Sequence, residues 1–276
     1  MGVSESSVKR WVDDGRLPAE RTAGGHRRIR LAHAVRFVRE SGMEVVRPDL
    51  LRPRPEGTRR RGAGPTPSSL TEALRELDGA AARGMLVGSF LQGASVATLC
   101  DGPIRTALHE LGPLWKESPT GIALEHHAVD ACIQALMEIR AMISVAERSR
   151  SAVGGAVEHD PYILPSLMVA VVLAEAGFRT RNLGPNVPAS ALRAATEAKA
   201  PDLVWRSTSI EMDPTALRAD IDEIRKGRSL EIVVGGRGLG RGASGTTSGV
   251  HHCESMAELA GFARGMQRTA GRSGRR

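Results

Sequence analysis

Two clusters near the start of the chain have the side-chain types that meet nucleic acid. Ser6, Ser7, Lys9 and Arg10 fall in one short stretch, and Arg21, His26, Arg27 and Arg28 follow in a second. Hydroxyls, ammonium and guanidinium groups donate to phosphate oxygens and base edges. Residues 2–15 read as a short helix. Ser4 suits its N-cap, Glu5 its first turn, and Gly15 the left-handed position that ends it. Val8, Trp11 and Val12 recur at i, i+3, i+4 as an apolar stripe, and the four polar residues lie off that stripe. Gly24-Gly25 predicts a tight turn, so the second cluster reads as a β-hairpin wing along a phosphate backbone. A second amphipathic helix, with Ala34, Val35, Phe37 and Val38 inward, comes next.

Further along, Trp115 is followed across Pro119 and Gly121 by Glu125-His126. The three side chains could face one pocket; a core Trp and a satisfied His is the other reading. His251-His252-Cys253 has metal-ligating types, but neighbouring histidines point different ways on a strand or helix, so no metal site is expected there. No nucleophile, base and acid come together as a hydrolase or transferase would need. The chain is therefore not read as an enzyme.

These residues need elements to hold them. After the head, residues 1–46, the stretch 47–68 is rich in proline, carries Arg59-Arg60-Arg61, and reads as a flexible linker. Residues 69–148 show helical periodicity. Leu70, Ala73, Leu74 and Leu77 form one stripe; Ile104, Leu108, Leu111 and Trp115 another; Val129, Ile133, Leu136, Ile139 and Ile143 a third. With a further helix near 84–92 they predict a four-helix bundle. From 149 to 270 the pattern alternates. Strands are expected at 152–157, 179–183, 202–206 and 230–234, and helices at 162–176, 188–198, 214–226 and 255–266. That alternation predicts a parallel sheet covered by helices, with ligands at its carboxyl edge. Gly235-Gly236 and the glycines after them lie at that edge, too far off the dinucleotide fingerprint to be read as one. Residues 271–276 form a basic tail.

Charge follows the same division. Residues 1–62 hold 15 Lys/Arg against 8 Asp/Glu, whereas the other 214 residues of the 276 hold 23 of each. The basicity belongs to the head, as expected of a nucleic-acid-binding module on a neutral body. Aromatics are only 3%, so the core must be built from Ala, Val and Leu. Three scattered cysteines form no CxxC and no disulfide framework, which favours a reducing, cytoplasmic home. The polar start is unlike a signal peptide, and the apolar stretch 163–177 is too short and interrupted to span a bilayer.

The stretch from Gly2 to Ile29 resembles the recognition helix and wing of the MerR family's winged helix-turn-helix. The resemblance implies a regulator of transcription that binds double-stranded DNA as a homo-oligomer. The apolar helix that usually precedes the recognition helix is expected to be missing. The bundle followed by a flavodoxin-like, Rossmann-type domain resembles the cobalamin-binding module of corrinoid proteins. The spacing of Trp115, Glu125 and His126 resembles the adenosylcobalamin-dependent light-sensing MerR repressors of the CarH/LitR type. There those residues would cover the upper face of the cofactor. Leu183–Pro188, Ser207-Thr208-Ser209 and Gly235-Gly236 resemble the loops that come after the family's later strands.

The motif for the lower cobalt ligand departs from the family. Its pattern is an acid, any residue, His, two residues, then Gly. Here Asp160 supplies the acid, but Tyr162 replaces His and Pro165 replaces Gly. Lys116 stands where the second histidine is expected. His159 is a weaker alternative ligand, three positions before Tyr162, and serves only if the loop shifts. Three readings stay open: cobalamin or adenosylcobalamin held without a protein ligand, another ligand, or a surface for oligomerisation alone. A corrinoid methyl-carrier and an interaction protein without DNA binding are the rival functions.

Overall fold

Ser4 opens the first helix as expected. Its Oγ accepts from the Ser7 amide at 3.2 Å and pairs with the Ser6 and Ser7 hydroxyls. The computed structural model describes residues 2–22, 24–43, 45, 67–239 and 249–273. In chain order the helices are α1 (Glu5–Asp13), α2 (Leu31–Ser41), α3 (Pro67–Arg75), α4 (Gly79–Leu91), α5 (Val96–Leu99), α6 (Arg105–Leu111), α7 (Pro119–Met142), α8 (Ile163–Glu175), α9 (Ala189–Ala198), α10 (Pro214–Arg225) and α11 (Met256–Ser273). The strands are β1 (Glu20–Arg21), β2 (Arg27–Arg28), β3 (Ser151–Ala156), β4 (Arg179–Asn182), β5 (Leu203–Ser207), β6 (Ile232–Gly235) and β7 (Val250–His252). Most of the expected linker, Arg59-Arg60-Arg61 included, lies outside the described residues, as do Gly240 and residues 274–276 of the tail. Two expected boundaries move: α3 starts at Pro67, and α11 runs on to Ser273.

The chain forms two units, Met1–Ser95 with Gly102–Ser144, and Val96–Asp101 with Val145–Arg276. In the first unit, β1 and β2 pair antiparallel, Glu20 opposite Arg28 and Arg21 opposite Arg27. The Trp11 ring lies 4.9 Å from that of Phe37, and Val35, Phe37 and Val38 are buried. Helices α3, α4, α6 and α7 pack together, with α4 against α7 as the largest contact. Small residues allow that approach: Gly79 and Ala82 on α4, and Ala128, Ala131, Cys132 and Ala135 on α7. The expected α7 stripe is therefore displaced, since Val129 and Ile133 are only half-buried. Two expected core residues are exposed. Leu77 lies in a left-handed turn, φ 57°, and Trp115 stands 52% exposed in a 3-10 turn, Gly112–Lys116. That turn presses on α7, where a Cβ at Gly121 would lie 1.9 Å from the Leu114 carbonyl oxygen.

The second unit is a five-stranded sheet, all parallel, in the order β4-β3-β5-β6-β7. This is a Rossmann-like arrangement. Strands β3 and β5 are covered on both faces, which explains their continuous apolar runs. Val153, Val204, Ile232 and Val234 pack with Leu192 of α9 and with Leu217, Ile221 and Ile224 of α10. The opposite face meets α8. Trp205 is fully buried there and donates from its indole N–H to Ser166 Oγ at 3.1 Å. Gly154 makes the room, because a Cβ there would lie 2.3 Å from the indole ring. Helix α8 contacts the sheet and also α5 and α11, so it is apolar all round. Strand β7 was not expected. Two histidines disguise it, and as an edge strand it is only half-buried.

Gly154→Ala should overpack this layer and lower stability by about 1–3 kcal/mol. Urea unfolding checks it: an unchanged midpoint would mean that β5 and the Trp205 ring both give way to the added methyl, whose nearest neighbour is the Trp205 carbonyl oxygen at 2.2 Å.

Candidate functional site

The head's polar residues divide into two groups. Ser6 and Ser7 spend their hydroxyls on the Ser4 cap, and Lys9 Nζ pairs with Glu5 at 2.9 Å. Arg27 Nη2 reaches Asp13 Oδ1 at 2.5 Å, and its Nη1 donates to the Lys9 carbonyl at 3.4 Å. Arg27 thus ties the hairpin to α1, a role different from the phosphate contact expected of it. Arg30 and Glu20 pair at 2.6 Å and brace the base of the hairpin. The side chains of Arg10, Arg21, His26 and Arg28 are exposed, with no ion pair or hydrogen bond among the described residues. Four polar groups of the expected types are therefore free on a hairpin and helix held together by a salt bridge.

Glu125 and His126 lie near the start of α7, their side chains paired at 2.9 Å, and His126 Nδ1 also lies 2.9 Å from the Ile122 carbonyl oxygen. His126 is exposed, as is Trp115.

The carboxyl edge of the sheet is built around Asp160. Its carboxylate is fully buried and accepts from the amides of Tyr162 at 3.0 Å and Ser209 at 2.6 Å. Its carbonyl accepts from the Asn186 amide at 2.8 Å, and Asn186 Oδ1 accepts from the His159 amide at 2.7 Å. His159 and Asn186 both hold left-handed backbones, φ 67° and 50°. One acid thus joins the loops after β3, β4 and β5. Arg206 strengthens the same edge from beneath. It is buried, paired with Asp220 of α10 and donates to the carbonyls of Ala156 and Val187 at 3.1 and 3.0 Å. The sequence reading missed it, although a lone arginine within an apolar strand was the available signal.

The remaining residues close over this edge. The Thr208 hydroxyl donates to the Ile210 carbonyl at 2.7 Å, and the Thr208 carbonyl accepts from the Gly238 amide at 3.1 Å. Gly236, at φ 124°, lies so near that a Cβ would meet the Thr208 oxygen at 2.1 Å. The Ser207 hydroxyl is buried with no hydrogen-bond partner among the described residues. Tyr162 is exposed, with the Arg237 guanidinium 5.3 Å from its ring centre. Cys253 comes directly after β7, and burial pushes its thiol up to about 11, so it is protonated and unreactive at neutral pH.

This edge offers no ring nitrogen as a metal donor in the expected place. Both Asp160 oxygens are taken by amides, and Tyr162 carries a phenol. Shifting the loop to bring His159 to the place of Tyr162 would break the hydrogen bond from its backbone amide to Asn186 Oδ1. A cobalt ligated by a protein histidine does not fit.

No family model matches the chain, and no curated protein matches it. Solved structures do resemble it. The monomethylamine corrinoid protein of Methanosarcina barkeri aligns with a TM-score of 0.56 at 14% identity, over 71% of this chain and 96% of that one. The methanol:cobalamin methyltransferase complex MtaBC of the same organism aligns at 0.40 and 14%, over 96% and 93%. A cobalamin-binding protein of Desulfitobacterium hafniense aligns at 0.38 and 17%, over 73% and 97%. Over the 71% of this chain that aligns, the first of these shares its fold. Among the described residues no helix is long and apolar enough to cross a membrane.

Asp160→Ala should leave two amides unpaired and free three loops, at about 1–3 kcal/mol. Hydrogen exchange should rise at residues 157–162 and 207–210 and stay unchanged in α4 and α7. Unaltered exchange at the edge would remove Asp160 from this role.

Proposed function

We propose that the chain is a DNA-binding transcriptional regulator, a repressor, that acts in the cytoplasm as a homo-oligomer on double-stranded DNA. The observation that carries this reading is the hairpin clamped to a serine-capped helix, with Arg10, Arg21, His26 and Arg28 free. Such a head supplies cationic and hydrogen-bonding groups on a surface that Arg27 and Asp13 keep in shape. A single head of this size reads only a few base pairs, so a two-fold operator calls for two copies.

The α/β unit is, in this reading, a sensor of the corrinoid-binding type. Ser207, Thr208, Gly235 and Gly236 are its proposed contacts to cobalamin or adenosylcobalamin. The cofactor would be held without a histidine on cobalt. When bound it supplies a light-sensitive cobalt–carbon bond, which is its own chemistry. In this reading Lys116 and Tyr162 stand where histidines would trap what light produces. A second reading, a corrinoid methyl-carrier, has the likeness to the monomethylamine corrinoid protein in its favour, with 96% of that chain covered. A carrier has no use for a free cationic head.

A gel shift on the chain's own promoter region tests the first reading against the second. Removing residues 1–46 should abolish the specific complex. Arg28→Ala should weaken binding to every sequence and flatten the salt dependence by about one unit. Arg27→Ala should instead cost more affinity for the operator than for random DNA, because it releases the hairpin. No shift by the intact protein would favour the carrier.

For the cofactor, purification with adenosylcobalamin in the dark and an absorbance spectrum before and after illumination is decisive. DNA affinity should be equal in dark and light. A bis-histidine spectrum after illumination would mean that His159 or another residue has reached cobalt.

A further inference from the structure

The helix after the hairpin does not hang free beside the bundle. Arg39, in the last turn of α2, places its guanidinium 3.9 Å from the Phe90 ring centre on α4. Its Nη1 donates to the Phe90 carbonyl at 2.7 Å and to the Ala94 carbonyl at 3.2 Å. These carbonyls belong to the C-terminal turn of α4, where helical hydrogen bonding runs out and the dipole is negative. The turn is a Schellman motif. Gly93, at φ 105°, donates to Phe90, and the Ala94 amide donates back to the Ser89 carbonyl. Arg39 is thus a second cap on that turn, supplied by another helix. A planar guanidinium does this with both a face and an edge, which lysine cannot.

The place of this turn in the chain gives the contact its meaning. Immediately after Ser95 the chain leaves the helical unit, and Val96–Asp101 belongs to the α/β unit. Two carboxylates anchor that segment there. Glu175, at the end of α8, accepts from the Val96 amide at 2.8 Å. Asp101 accepts from the amides of Met256 and Ala257 at 3.0 and 2.9 Å and so caps α11. A single residue, Ser95, separates the carbonyl gripped by Arg39 from the amide gripped by Glu175.

We infer that Arg39 is the latch through which the state of the α/β unit sets the position of the head. A shift of Val96–Asp101 pulls on the α4 turn, and the turn carries or releases α2. This regulation rests on the DNA-binding reading only for its effect on DNA; the latch itself is a property of the chain.

The test uses the full-length protein and hydrogen exchange at residues 31–41, read beside a gel shift. Arg39→Met keeps the stem and removes the guanidinium. It should raise exchange at 31–41 about tenfold, with 151–157 and 203–207 unchanged. Arg39→Lys should fall between. Asp101→Ala, in the other unit, should raise exchange at 31–41 in the wild-type background and add little in the Arg39→Met background, because the link is already cut. Glu175→Gln is the milder companion should Asp101→Ala fold poorly. Unchanged exchange in Arg39→Met overturns the latch. A rise in Arg39→Met with no response to either Asp101→Ala or Glu175→Gln overturns the coupling. In the gel shift Arg39→Met should change operator affinity about threefold or more. Equal affinity beside altered exchange overturns the regulatory role. A wild type that does not bind DNA, with exchange behaving as expected, counts against the proposed function and leaves the latch standing.

Discussion

The sheet's carboxyl edge depends on one buried carboxylate. Burying a charge is costly unless hydrogen bonds replace its water, and Asp160 takes its replacements from the backbone of loops far apart in sequence. Each amide it accepts fixes a loop, and each fixed loop limits where neighbouring side chains can go. Tyr162 is turned out towards Arg237, and the His159 backbone is pinned by its amide to Asn186 Oδ1. The edge is therefore shaped before any ligand arrives. Arg206 has the same effect with the opposite sign, since a buried guanidinium must find acceptors and finds them on the carbonyls of Ala156 and Val187 and on Asp220.

The alternation of the second half was legible because parallel strands buried on both faces are nearly unbroken apolar runs. Four of its five strands were expected within about two residues of their ends. The fifth, β7, was not, because an edge strand needs only a few apolar contacts and Val250-His251-His252 supplies few. The bundle was legible in outline, but its seam was not. Hydrophobic scales reward valine and isoleucine, while α4 and α7 meet through alanine, glycine and Cys132, where closeness of backbones does the packing. Helical spacing from Ile104, Leu108 and Leu111 points Trp115 inward, and a short 3-10 turn leaves it outward.

At the candidate sites the residue types were visible and their partners were not. The sequence shows that Asp160 is an acid beside a missing histidine, but backbone amides from distant loops leave no mark on side-chain patterns. Arg27 looked the same as Arg28, and only the proximity of Asp13 separates a brace from a free cation. Arg39 gave no signal, being one arginine among many on a basic stretch, since a cap on another helix's carbonyls depends entirely on the tertiary fold.

The brief excursion of Val96–Asp101 also has a bearing on how the protein is made. During synthesis these residues leave the ribosome well before α8 and α11, the helices that α5 packs against. Val96, Ala97 and Leu99 must then wait, apolar and unaccompanied, while the rest of the helical unit and the first strand of the sheet emerge. The α/β unit cannot finish folding as a contiguous late product, because one of its pieces was laid down early. Cutting the chain between units for expression would leave either fragment with a hole or an orphan. A fragment that is to hold the α/β unit intact has to carry Val96–Asp101 as well as the chain from Val145 onward.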